Sequence, residues 1–439
     1  MAEVSSYSGS EVSGRAPGVY IQEIAPSPVT AIVTGVPIFV GFAGVSTRPD
    51  DDGDHCEQTV MRLTSWEQFE QFERSIGPAA PGSYLGYAVR GFFENGGERC
   101  VVVALRFNED RLKLMEAQLR LDEDQLRKDE YQSSRRALTN ALEKLFSQDA
   151  NGLRSVLSDI DDADLVCVPD IMMKFIRLSP DLVVELQQRV LDYCADMGER
   201  FAILDVLPGG TAEKNTAILQ WRELTSTDGA LYFPWVRVKS LNGSGERWVP
   251  PCGHIAGVYA RSDARVGFHK APANEIVEGV LDLQTEVTSG IQSELNEVGV
   301  NCLRSFPRRG IRVWGARTLS GHRNWRYVNI RRIFLTLVRW IEHNMHDLVF
   351  EPNEPSLWDR VRDRVGGYCY ELFERGALKG RDSAEAFFVK CDAETNPLDV
   401  REAGQLICDV GLAPLSPAEF ILIRITQSAA GPTVTLPAG

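Results

Sequence analysis

Four short, almost wholly apolar runs constrain this chain more than any other feature of its sequence. They are Pro37 to Val45 (PIFVGFAGV), Cys100 to Leu105 (CVVVAL), Leu165 to Pro169 (LVCVP) and Phe201 to Val206 (FAILDV). Each is bounded by turn residues and lacks polar alternation. Strands of this kind are covered on both faces, as in a mostly parallel sheet. Helical spacing fills the gaps between them. Trp66, Phe69, Phe72 and Ile76 recur at helical intervals, with Ser65 as N-cap and Gln68 three residues on. Tyr84 to Phe93 repeats the spacing until Asn95-Gly96-Gly97 stops it, and Pro180 to Met197 is amphipathic. The alternation predicts a mixed α/β fold, a mostly parallel sheet with flanking helices.

Further along, Tyr232 to Val238, Val300 to Ser305 and Ile311 to Trp314 read as strands, with turns at Asn242 to Gly245 and Pro307 to Gly310. Asn329 to Asn344 and Ser356 to Arg375 read as helices, and Ala386 to Cys391 and Phe420 to Ile425 as strands. Glu109 to Arg136 differs, with eight acids and seven bases in 28 residues. Its sparse apolar positions predict a long, mostly solvated helix, hairpinned with Ala137 to Phe146.

A length of 439 residues allows two to three domains of about 150 residues each. Ile24 to Thr47, the longest uncharged stretch near the N-terminus, holds three prolines and three glycines, which argues against a membrane helix. Met1 to Val19 lacks the pattern of a secretory signal, and Met1 to Ala16 reads as a loose tail. Nine scattered cysteines without a CxxC pair read as reduced thiols of a cytosolic protein. The net charge of -14 opposes a nucleic-acid partner. Ten arginines and two acids make Asn301 to Phe350 +8 (10 − 2), leaving −22 (−14 − 8) elsewhere. A basic stripe on an acidic body predicts contacts between copies.

Motifs for catalysis are missing. There is no GxxxxGK[ST], GxSxG or HExxH, and six histidines form no visible triad. His343 and His346 supply two ligands, too few for a metal site. Asp50 to Asp54 lacks the ligand spacing of a calcium loop. Asp170 and Asp205 lie at predicted strand ends, where α/β enzymes place catalytic groups, but capping explains them as well. No cofactor is expected. Both chain ends, by contrast, carry apolar strand segments on proline-punctuated arms. One is Val19, Tyr20, Ile21 and Ile24; the other is Thr433 to Leu436, with Val434 and Leu436, and nothing local to pair with. Unpaired strands need completion, and a neighbour's sheet provides it.

The chain resembles the tail sheath proteins of contractile phage tails and of phage-like contractile injection systems, R-type pyocins included. The resemblance rests on Pro17-Gly18-Val19-Tyr20-Ile21-Gln22-Glu23-Ile24, Phe39 to Ala43, Ala88 to Arg99, Gly253 to Arg261 and Lys270 to Glu275. The strongest block runs from Asn301 to Leu319 and continues through Trp325 to Arg332 and Phe350-Glu351-Pro352-Asn353. It implies a subtilisin-like central domain without a triad, no enzymatic activity and hexameric rings stacked around an inner tube. A baseplate- or cap-proximal sheath paralogue is the alternative. The implied partners are further copies, the inner tube protein, and baseplate and terminator or cap proteins, with no membrane insertion. Assembly in the cytoplasm, then incorporation into the particle, is the implied location. Neighbours' arms would complete a sheet using Val19, Tyr20, Ile21, Ile24, Phe420, Leu422, Val434 and Leu436. Arg308, Arg309, Arg331, Arg332, Arg360, Arg362 and Arg364 are candidate contacts to the tube or other copies. The implied division is an N-terminal arm at 1–36, an outer domain at 37–285 with an insert at 109–150, an inner domain at 286–425 and a C-terminal arm at 426–439.

Overall fold

The computed structural model describes residues 31–46, 56–126, 132–146, 153–208, 213–415, 421–428 and 431–435. Val19, Tyr20, Ile21, Ile24, Phe420, Leu436 and the Asp50 to Asp54 turn lie outside them. In chain order the strands are β1 (Pro37–Val45), β2 (Glu57–Leu63), β3 (Cys100–Phe107), β4 (Leu165–Cys167), β5 (Phe201–Asp205) and β6 (Gly229–Phe233). β7 (Val236–Lys239), β8 (Glu246–Val249), β9 (Asp282–Leu283), β10 (Asn301–Phe306) and β11 (Gly310–Trp314) follow. The last four are β12 (Phe387–Lys390), β13 (Leu406–Leu412), β14 (Ile421–Ser428) and β15 (Gly431–Thr435).

The four apolar runs become β1, β3, β4 and β5, adjacent in one eight-stranded sheet ordered β11-β10-β6-β5-β4-β1-β3-β2. The six inner strands are parallel, and β2 and β11 close the two edges antiparallel. Almost every residue of β1 and β3 is buried, because helices cover both faces. The Ser65 cap is present: its Oγ accepts from Gln68 N at 3.4 Å, and Gln68 Oε1 accepts from Thr64 N at 2.8 Å. Gly35 precedes β1 with φ +76, and a Cβ there would come within 2.6 Å of Ala260 Cα, so only glycine fits.

Three expectations are corrected. The charged insert is not one long solvated helix. It runs as helix Glu109–Leu119, a short turn of helix at Glu123–Leu126, and helix Gln132–Phe146, whose Ala137, Leu138, Ala141, Leu142 and Leu145 are buried. Residues Tyr232 to Val238 are two strands in different sheets, β6 and β7. Finally, β10 and β11 belong to the large sheet, so the first core extends past residue 285 through Leu319 and takes in Val328 and Leu335.

From Ile32 onward the described residues form one unit with two cores. The helix Val328–Asn344 is common to both. Val328 and Leu335, two turns apart, enter the first core; Ile330, Ile333, Phe334, Leu337, Trp340 and Ile341 line the second. The helix Pro355–Glu374 and β12, β13 and β14 complete the second domain, with β12-β13-β14-β15 as an antiparallel sheet.

Glu199 lies under the shared helix with its carboxylate 3.9 Å from Arg339 Nε and 3.8 Å from Arg200 Nε. Those separations are too long for hydrogen bonds, and its Oε2 accepts none. Burial therefore dominates and pushes the Glu199 carboxyl up to about 8; Glu342 adds to the rise and Arg339 opposes it. The folded chain keeps a proton that the unfolded chain releases near the ordinary glutamate value of 4.5. Stability from this group is thus full at low pH and is lost as pH rises toward 8. Glu199→Gln should flatten that decline. Denaturant midpoints of the variant and the parent should converge near pH 4.5 and separate in the variant's favour up to pH 8.

Candidate functional site

The arginines of Asn301 to Phe350 do not form a surface stripe. Arg331, Arg332 and Arg339 are 4%, 2% and 3% exposed. Arg331 donates to Asp228 Oδ1 through Nη2 at 2.6 Å and Nε at 2.7 Å. Arg332 spans two carboxylates, Asp263 at 2.5 Å and Asp164 at 3.1 Å. Asp164 also accepts from Gly35 N at 3.1 Å and Val36 N at 2.7 Å, so the pair fixes the entry to β1. Arg339 reaches the Val33 carbonyl at 3.0 Å and the Asp161 carbonyl at 2.9 Å. Arg331 and Arg332 are therefore internal ties and not contacts to a tube or another copy; helical periodicity turns them into the seam between the two cores.

Other arginines of the block bind backbone carbonyls locally: Arg304 to Val287, Arg312 to Asn274 and Arg317 to Asn296. Arg308 and Arg309 do stand out. They occupy the exposed tip of the β10–β11 hairpin, with Arg308 at φ 60. Among the described residues Arg308 makes no ion pair, and the Arg309 guanidinium stacks 6.0 Å from the Phe306 ring. On the helix Pro355–Glu374, Arg360 pairs with Glu351 at 3.4 Å, Arg362 with Asp359 at 2.6 Å and Arg364 with Asp347 at 2.5 Å. These three are locally neutralised, and the first two are about half exposed.

The strand-end carboxylates are caps. Asp170 accepts from Phe42 N at 2.7 Å, Tyr84 N at 2.5 Å and Ser83 Oγ at 2.7 Å. Burial raises its carboxyl to about 6 against those hydrogen bonds. Asp205 accepts from Cys252 N at 2.8 Å at the start of the helix Cys252–Arg265, and burial raises it to about 7. Burial also pushes the Cys252 thiol well above its ordinary value, which suppresses a thiolate. His343 Nδ1 faces the Arg339 carbonyl at 2.9 Å, and among the described residues no cluster of three metal-ligating side chains occurs. No described helix is long and apolar enough to cross a membrane.

The second sheet gathers the C-terminal strands. β13 pairs along its full length with β14, Leu412 opposite Ile421 and Leu406 opposite Gln427. Leu422 pairs with Gly411. The C-terminal segment does find a local partner: β15 pairs with β14, Val434 opposite Ile425 and Pro432 opposite Gln427. β12 and β15 end the sheet. Proline in β15 fits an edge position. β13, central to this sheet, escaped the sequence reading, although its alternating buried Leu406, Cys408, Val410 and Leu412 give the period of two that reveals a strand.

Two family models match consecutive stretches that meet where the two cores divide. The phage tail sheath protein central domain covers residues 164–319, and the phage tail sheath C-terminal domain covers 322–428. The chain belongs to the phage tail sheath family. The chain is 29% identical to a chain of the anti-feeding prophage helical sheath in its contracted state, with a TM-score of 0.64 over 92% of this chain and 97% of that one. Against the PVC sheath complex, an extracellular contractile injection system in its contracted state, identity is 28% and the TM-score 0.64, over 96% and 97% of the two chains. The tail sheath protein of Salmonella phage ViI is 24% identical over 239 residues, and the match spans 37% of that relative's length.

Arginines that share one sequence block should thus behave differently. Arg332→Ala leaves Asp164 and Asp263 buried without their cation and should cost about 3–5 kcal/mol in urea denaturation. Arg308→Ala, at an exposed tip, should change stability by less than about 0.5 kcal/mol.

Proposed function

We propose that this chain is the structural sheath subunit of a contractile phage tail or phage-like injection system. Copies form hexameric rings, the rings stack helically around an inner tube, and contraction drives the tube through a target envelope. The single observation that carries the reading is near full-length similarity, 96% of this chain and 97% of the other, to a sheath subunit of a contractile injection system. The protein is then part of a tail or tail-like particle, assembled in the cytoplasm, with further copies and baseplate proteins as its partners. The inner tube and a terminator or cap protein complete the set.

Physically, the extended sheath is a metastable packing that relaxes to a lower-energy one. Links that persist through the change need apolar strand pairing. Faces that exchange partners suit exposed ion pairs, worth about 0–1 kcal/mol each. The first role falls to the second sheet. A ladder that closes between β14 and β15 in one chain forms equally when a neighbour supplies β15, since the hydrogen bonds are the same. Val19 to Ile24 of another copy then adds at the remaining edge. The second role falls to Arg308 and Arg309 between copies. Arg360, Arg362 and Arg364 meet the tube by trading their intramolecular acids for acidic groups there.

A second reading, a baseplate-proximal sheath paralogue of limited copy number, draws on the higher TM-score of 0.70 to a chain of the contracted anti-feeding prophage baseplate, at 25% identity. Counting copies per particle by electron microscopy separates the two.

Deleting Met1 to Ala25 should abolish long polymers while the remainder still folds, as seen by negative-stain microscopy and circular dichroism. Tubes of normal length from the deletion would refute the arm's role.

A further inference from the structure

Phe350 combines two costly features. It is 89% exposed, more than any other large apolar side chain described, and its backbone lies in the left-handed region at φ 69. A bulky residue without local need for that conformation normally avoids it. The loop nevertheless holds it firmly. Leu348 before it is fully buried, and Glu351 N donates to the Leu348 carbonyl at 3.4 Å. Asn353 donates to the Gln405 carbonyl at 2.7 Å and accepts from Trp358 Nε1 at 2.7 Å. Ion pairs Arg360–Glu351 and Arg364–Asp347 brace the two sides. A rigid mount around a strained, solvated ring earns nothing inside the subunit, and strain that persists marks a functional position.

We propose that Phe350 is an anchor that inserts into a second copy of this chain. The inference rests on the sheath reading above. The proposed partner is another copy: Asp347 and Glu351 beside the ring are already paired, which leaves the apolar ring as the recognition element, and the chain carries an exposed aromatic counterpart of its own. The helix that follows the loop, Pro355–Glu374, carries that counterpart at its far end. Tyr370, 49% exposed, and Phe373 lie there with ring centroids 6.3 Å apart. The helix Pro355–Glu374 has 20 residues, about 30 Å, so knob and aromatic patch sit well apart on one molecule. A knob meeting a patch at the opposite end of the next copy's helix is a heterologous contact, which propagates instead of closing a two-fold dimer.

The test uses the full chain without tube protein, with polymerisation followed by light scattering and microscopy. Phe350→Asn keeps a residue that accepts the left-handed region and removes the ring. It should leave the melting temperature of the unassembled subunit unchanged or raised, and lift the concentration needed for polymerisation at least about tenfold, a factor worth about 1.4 kcal/mol. Phe350→Leu should retain most assembly. Tyr370→Ala should weaken assembly too, and combining it with Phe350→Asn should add little. Polymerisation of Phe350→Asn at the parental concentration would overturn the anchor while leaving the sheath reading intact, as would a melting temperature several degrees lower. Failure of the parent chain to polymerise under any condition would overturn both.

Discussion

Three arginines on one helix hold the two halves of this subunit together. Arg331, Arg332 and Arg339 project from Val328–Asn344 into carboxylates and carbonyls of the first domain, while the same helix gives its apolar face to the second core. Removing one cation strands buried acids at several kcal/mol, whereas an exposed pair contributes at most about one. Under the proposed function, the hierarchy separates a seam that keeps each subunit a single body from weaker surface pairs that can change partners.

The second sheet adds the complementary property. Its strands β14 and β15 close on each other in one chain, with the register running from Arg424–Thr435 to Ser428–Gly431. Backbone ladders are indifferent to which copy supplies a strand, so a closed hairpin and an exchanged strand differ little in hydrogen bonding and greatly in connectivity. A sheath that shortens without falling apart needs connectivity of that kind, together with domains that do not loosen.

Much of the fold was legible because burial on both faces leaves an unambiguous mark. PIFVGFAGV and CVVVAL have no polar positions to mislead, and both are central strands. Ser65 and Gln68 likewise announced a helix start that the hydrogen bonds reproduce. The arginine block was misread for a physical reason. Net charge counts residues without regard to direction, and a helix turns Arg331 and Arg332 inward to Asp228, Asp164 and Asp263, which lie 69 to 168 positions away in the chain and could not be paired from sequence. The insert was misread similarly: charges at its start hid the apolar face of Gln132–Phe146, whose Ala137, Leu138, Ala141, Leu142 and Leu145 are buried. β15 appeared unpartnered although Arg424 and Ile425 of β14 pair with its Thr435 and Val434, because a short segment gives no sign in its sequence of which strand it will join.

An electron cryomicroscopy map of the polymer formed by the full-length chain tests the central claim most directly. The account predicts that each second sheet contains strands from other copies, while the Arg331–Asp228 and Arg332–Asp263 pairs keep their present geometry within every subunit. A polymer in which each sheet is built from one chain alone, or in which the seam arginines have changed partners, would contradict it.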